Sequence, residues 1–100
     1  MKNYVIAVDH KASFNRAYDY HNLEAENEID AIIKIQNMMP CLEEVYLVKL
    51  LKKSRKQNCY NPILNIRSNN SVEWCDVTEV WSLHPIQFRN TPKINYCPIK

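Results

Sequence analysis

Two histidines pose the question of chemistry. His10 and His21 lie among acids and phenols, with Asp9, Asp19, Tyr18 and Tyr20 beside them, the mixture on which general acid–base catalysis draws. A shared proton relay needs both rings within hydrogen-bond reach. The surrounding sequence instead predicts a hairpin turning near Ala12–Ser13, which leaves His21 about six residues up the returning strand, ~20 Å from His10 at ~3.3 Å per residue. Both are expected as surface or edge histidines. The four cysteines, Cys41, Cys59, Cys75 and Cys97, contain no C-x-x-C pair, whereas zinc ligands normally come in closely spaced pairs. No cysteine or serine carries a local signature of a nucleophile beside its base. The expectation is a chain with no catalytic residue, no metal and no cofactor.

Charge offers two further sites. In "YLVKLLKKSRKQ", Lys49, Lys52, Lys53, Arg55 and Lys56 form a local cluster. A patch of this kind binds nucleic acid by releasing condensed counterions, and Arg16, Tyr18 and Tyr20 would add a stacking surface if their strand face is open. Against it stands a net charge of only +2 and a pI near 8.3, short of the basic balance of dedicated nucleic-acid binders. Glu24, Glu26, Glu28, Asp30, Glu43 and Glu44 crowd the two ends of a predicted helix. A chain near neutral overall but separated into acidic and basic regions suits docking on a charged protein surface. Outward-facing acids can also occupy a phosphate-binding groove on a nucleic-acid enzyme.

The composition narrows the scaffold. One hundred residues, 46% hydrophobic and 24% charged, fit one domain with its own core. Glycine is absent, so phosphate-cradling glycine loops are excluded and any positive φ must fall to Asn or Asp. "MKNYVIAVDH" is interrupted by Asp9 and His10 too early for a signal-peptide core, and no stretch approaches the ~18 apolar residues of a membrane span. A cytoplasmic protein with reduced thiols is expected.

The elements follow from periodicity. Tyr4, Ile6 and Val8 alternate with Val5 and Ala7, the period of a strand. "DHKAS" turns the chain, and a second strand runs from about Phe14 to Ala25 with Tyr18 and Tyr20 on one face and Asp19, His21 and Leu23 on the other. "NEIDAIIKIQNMMP" predicts a helix: Asn27 caps it, Asp30 and Lys34 pair four apart, Pro40 closes it, and Ile29, Ile32, Ile33, Ile35 and Met39 form the apolar stripe. "VYLVKLL" is apolar on both faces and reads as a mid-sheet strand reached by a right-handed crossover, with a second helix as the rival. "PILNIRS" and "VEWCDVTEVW" flank Asn69-Asn70 as a hairpin, the alternative being a helix with Trp74, Val77, Thr78 and Trp81 on one face. Residues 85–100, broken by prolines, are expected as an extended C-terminal tail.

The sum is a single α+β domain over residues 1–100: a mostly antiparallel sheet of about four or five strands with one main helix on one face. One helix cannot cover both faces. The second must be closed by the Trp74–Trp81 segment, by a second copy, or by a partner, since exposed apolar sheet usually marks an interface. In size, the Asn, Ile and Lys bias of AT-rich coding, acidic clustering and missing catalytic motifs, the chain resembles the short inhibitor proteins that phages and mobile elements encode against host systems, anti-CRISPR proteins among them. The resemblance implies a non-enzymatic protein, in the host cytoplasm if phage-encoded. It would dock on a larger protein or complex, inhibit a nucleic-acid-handling defence and possess the capacity to form a homodimer. It covers no sequence motif, so it carries no residue roles. The alternative is a nucleic-acid-binding accessory protein using Lys49–Lys56.

Overall fold

The computed structural model describes residues 1–10, 18–41, 45–76 and 79–84, with the backbone alone at His10 and Cys41. Its elements are β1 (Lys2–His10), β2 (Asp19–Ala25), α1 (Glu28–Met38), a 3-10 turn at Met39–Cys41, β3 (Val45–Lys53), β4 (Cys59–Arg67), β5 (Val72–Trp74) and β6 (Trp81–Ser82). All the pairings are antiparallel, in the order β2-β1-β3-β4-β5, with β6 on β4 beside β5. The fold is the expected α+β sheet with one helix. "VYLVKLL" is a strand, and it stands mid-sheet because its two faces are both needed for burial.

The helix begins where the chemistry of its first turn dictates. Asn27 Oδ1 accepts the Asp30 amide at 2.9 Å, and Asp30 Oδ2 accepts the Glu26 amide at 2.9 Å, so two groups left without helical partners are satisfied reciprocally. Asp30 also pairs with Lys34 at 3.3 Å. The buried face differs from the expected stripe. Of that stripe Ile35 and Met39 are buried and Ile32 is half-buried, while Ile29 and Ile33 face outward at 60% and 49% exposure and Ala31 and Met38 take their place against the sheet. Five apolar positions span more of the helix than one sheet can cover, and the small Ala31 allows the closest approach. This side of the sheet carries the main core, with Tyr4, Ile6, Val8, Leu23, Val48, Leu50, Leu64 and Ile66. Burying a side chain of this size stabilises by ~1.5–3 kcal/mol before ordering costs.

The glycine-free chain makes its positive-φ turns with asparagine, at Asn58 (φ 60) and Asn70 (φ 68). At the second, Asn70 donates to Arg67 O at 2.8 Å and Arg67 donates to Ser71 O at 3.0 Å, a three-residue hairpin loop ending in the left-handed region. The hairpin reading of this segment therefore holds in short form. The helical alternative is overturned in the described part, because Trp74 pairs with Leu64 on the helix side whereas Trp81 lies on the other side. Pro62, which has no amide to donate, falls between the stretches of β4 that pair with β5 and β6.

Candidate functional site: the open face and its rim

The side of the sheet away from α1 is not bare. Val5, Ala7, Leu51 and Leu83 form a second buried cluster, with Tyr18, Tyr20, Tyr60 and Trp81 packed against it. The cover is the segment 79–84, tied down by Leu83 N–H donating to Asn58 O at 2.8 Å and by Asn61 Nδ2 donating to Glu79 O at 3.3 Å. Of the expected Trp74–Trp81 closure only the Trp81 end takes part, continued by Leu83, while Trp74 lies on the helix side. Trp81 reaches far: its backbone pairs with Tyr60 on β4, yet its ring lies 5.2 Å from Tyr18, which leads into β2. In a flat sheet β6 and β2 would stand four spacings apart, ~19 Å at ~4.8 Å each. The sheet therefore curls, helped by the register shift at Leu50/Leu51 where β3 meets β4. The open face is a trough.

One half of the trough is filled by the aromatic cluster. The other half is an open cleft of about 800 Å³ whose walls include Asn3, Val5, Asn22, Glu24, Lys53 and Tyr60. Lys34 also borders it, but its ammonium is held by Glu24 O at 2.8 Å and by Asp30. Among the described residues, two buried polar atoms lack hydrogen-bond partners, Tyr4 Oη and Trp81 Nε1. Burial, followed by the nearby Glu28 carboxylate, raises the Tyr4 pKa, so the phenol stays neutral; Glu28 stands close enough to repel the phenolate without closing a hydrogen bond of good geometry. Burial and then Tyr18 raise the Tyr20 pKa.

The basic candidates divide. Lys49 is half-buried inside the trough, donates to Asn65 Oδ1 at 3.0 Å and lies 5.7 Å from the Trp81 ring centre. Tyr18 and Tyr20 belong to the same aromatic cluster. Lys52, Lys53, Arg55 and Lys56 are exposed at the end of the β3–β4 hairpin, and none of them is in an ion pair with another described residue. Arg16 lies outside the described residues. The acidic candidates divide too. Glu24 and Glu26 are exposed, Glu28 is half-buried near Tyr4, and Asp30 is engaged by the helix cap and Lys34. Glu43 and Glu44 lie outside the described residues, as does the predicted tail at 85–100.

The hairpin register corrects the histidine geometry. Ile6 pairs with His21, so His21 stands four residues along the ladder from His10, ~13 Å at ~3.3 Å each, nearer than expected and still beyond a shared proton. Cys59 and Cys75 are half-buried free thiols. Among the described residues no three His, Cys, Asp or Glu side chains converge as metal ligands, and no helix is long and apolar enough to cross a membrane. Sequence reasoning missed Asn3, Asn22 and Tyr60, because only the pairing register of β2, β1, β3 and β4 sets them side by side on one face. Comparison with known proteins gives no match: no family model, no curated protein and no solved structure is similar to this chain.

Proposed function

We propose that the chain is a non-catalytic docking protein that binds a larger protein through the helix side of its sheet. The observation that carries this reading is the exposure of Trp74 at 53% on the strand β5 and of Ile29 at 60% and Ile33 at 49% on α1, whose opposite face is buried. Tryptophan dominates the energetics of protein interfaces when a partner desolvates it. Charges suited to a polar rim lie on the same elements: Glu73 on β5 pairs with Arg67 at 3.5 Å, and Asp30 pairs with Lys34 on α1. The shifted titrations also favour binding over catalysis, since Tyr4, Tyr20 and Asp30 are each accounted for by burial or capping. The resemblance to phage-borne inhibitors supplies the expected consequence, occlusion of a host nucleic-acid-handling complex.

The test is affinity capture with the wild-type chain beside a Trp74→Ser, Ile29→Glu, Ile33→Glu variant. Retention of a protein by the wild type and its loss from the variant supports the reading; the same retained set from both overturns it. Sedimentation of the pure protein separates self-association from a foreign partner. A second reading rests on the exposed Lys52, Lys53, Arg55 and Lys56, which suit salt-sensitive binding of a nucleic-acid backbone.

A further inference from the structure

The cleft in the trough is continuous with the basic hairpin through one residue. Lys53 ends β3, lines the cleft, and belongs to the exposed run that continues through Arg55 and Lys56. About 800 Å³ lies inside the range of small-molecule sites, roughly 300–1,000 Å³. The walls are chemically uneven. Val5 supplies apolar floor and Tyr60 an aromatic ring, packed on one side against the buried cluster. Asn3 and Asn22 bring two exposed amides, each with donors and an acceptor, and Glu24 brings acceptors alone. Cationic charge free of any described ion pair enters at Lys53.

We propose that this cleft binds one nucleotide unit, its base against Tyr60 and its phosphate at Lys53. The composition of the walls excludes simpler occupants. A purely apolar ligand would leave the hydrogen-bonding capacity of two amides and a carboxylate unused. A bare anion would meet Glu24 and leave the apolar floor and ring unused. A flat, hydrogen-bonding body with one anionic end satisfies all of them: amides and carboxylates read base edges, aromatic rings stack bases, and an ammonium takes phosphate. The unit comes either as a free nucleotide or as one residue of a single strand whose neighbouring phosphates run along Lys52, Arg55 and Lys56. The inference deepens the nucleic-acid reading of the hairpin and is independent of docking at Trp74.

The experiment is a titration of isotope-labelled protein with the four 5′-mononucleotides, the matching nucleosides and inorganic phosphate at low salt, followed by anisotropy with a labelled single-stranded octamer. Mononucleotides are expected to shift the amides of Asn3–Val5, Asn22–Glu24 and Lys53–Tyr60, with nucleosides and phosphate each binding more weakly. Lys53→Gln and Asn22→Ala, both at exposed positions, are each expected to weaken binding about tenfold with unfolding midpoints unchanged. An octamer that binds more tightly than the mononucleotide and loosens with salt identifies a single strand as the source; equal affinities identify the free nucleotide. A Lys52→Gln, Arg55→Gln, Lys56→Gln variant separates the two claims, since it should lose octamer affinity and keep mononucleotide binding. No shift at millimolar mononucleotide, shifts confined to other residues, or wild-type affinity in both Lys53→Gln and Asn22→Ala overturns the cleft, even where the octamer still binds the hairpin.

Discussion

The ammonium of Lys49 stands 5.7 Å from the centre of the Trp81 ring, and the same ring meets Tyr18 at 5.2 Å and Tyr20 at 6.5 Å. One side chain from the last described strand thus touches the first hairpin and the middle of the sheet together. Its indole N–H has no acceptor among the described residues, where what it contributes is packing and ring electrostatics.

Trp81→Ala should therefore cost about 3 kcal/mol, the usual scale for emptying an aromatic site, and should speed amide exchange at Leu83. Lys49→Met should cost less than ~1 kcal/mol, because the cation–π contact and one hydrogen bond are replaced by apolar contact. Urea unfolding of the two variants checks this. Equal losses would mean that the lysine, not the indole, holds the cover.

Ala31 is fully buried under the helix while Ile29 and Ile33 face outward. Ala31→Leu should destabilise by about 1–3 kcal/mol through overpacking. Ile29→Lys with Ile33→Lys should stay within about 0.5 kcal/mol of wild type, as substitutions on a solvated face do. Thermal or urea midpoints decide, and a reversed order would place the helix on its other face.

Asp30 carries a carboxyl held below the ordinary value of 3.8, chiefly by the Glu26 amide and with help from Lys34 against an opposing desolvation. A depressed folded pKa gives stability that is complete above the unfolded value and is lost as pH falls through the folded one. Melting temperature should therefore fall on the acid side of pH 4, roughly the unfolded carboxylate value, and Asp30→Asn should flatten that limb. A limb of equal steepness in the variant would assign the acid sensitivity to other groups.

Tyr4 buries a hydroxyl with no hydrogen-bond partner among the described residues and has a raised pKa. A raised folded pKa means stability that is present below the unfolded value of 10.0 and is lost as pH climbs through the folded one. Tyr4→Phe should add about 1 kcal/mol at neutral pH by removing an unsatisfied group, and should soften the alkaline limb, leaving half-buried Tyr20 as a second phenol with a raised pKa. Urea midpoints at pH 7 and pH 10.5 measure both.

Asn70→Ala should cost about 1 kcal/mol, because alanine tolerates the left-handed region poorly, while Asn70→Gly should be neutral or slightly stabilising. Asn58 should behave alike. Loss of stability in both glycine variants would assign the role to the amide side chains instead of the backbone angle.

The sequence made the strands and the cap legible because their signals are local. Asn27 and Asp30 announce the helix start by type and spacing, and Tyr4, Ile6 and Val8 announce a strand by alternation. The absence of glycine foretold that Asn or Asp would take the left-handed turns, and among the described residues Asn58 and Asn70 do. Which helix face would be buried was not legible, because isoleucines stand on both sides and the decisive residue is a small alanine. The cleft was illegible for a stronger reason. Asn3, Asn22, Lys53 and Tyr60 come from four strands, and what gathers them is the order and register in which those strands pair, which has no local signature. Of the charged sets, Lys52, Lys53, Arg55 and Lys56 are exposed, as are Glu24 and Glu26, while Lys49, Tyr18 and Tyr20 are part of the packing and Asp30 is part of the cap.

β1 lies between β2 and β3, pairing Tyr4 both with Leu23, just across its own hairpin, and with Lys52, from the far half of the chain. The other ladders on the strand path join neighbours in sequence, so each can form early at a small loop-closure cost. The β1–β3 ladder is the one that welds two separately assembled halves, and it must do so with α1 in between. Ordering of that seam should set the folding rate, and residues along it, Ile6 and Leu50 first, should govern how fast the protein folds.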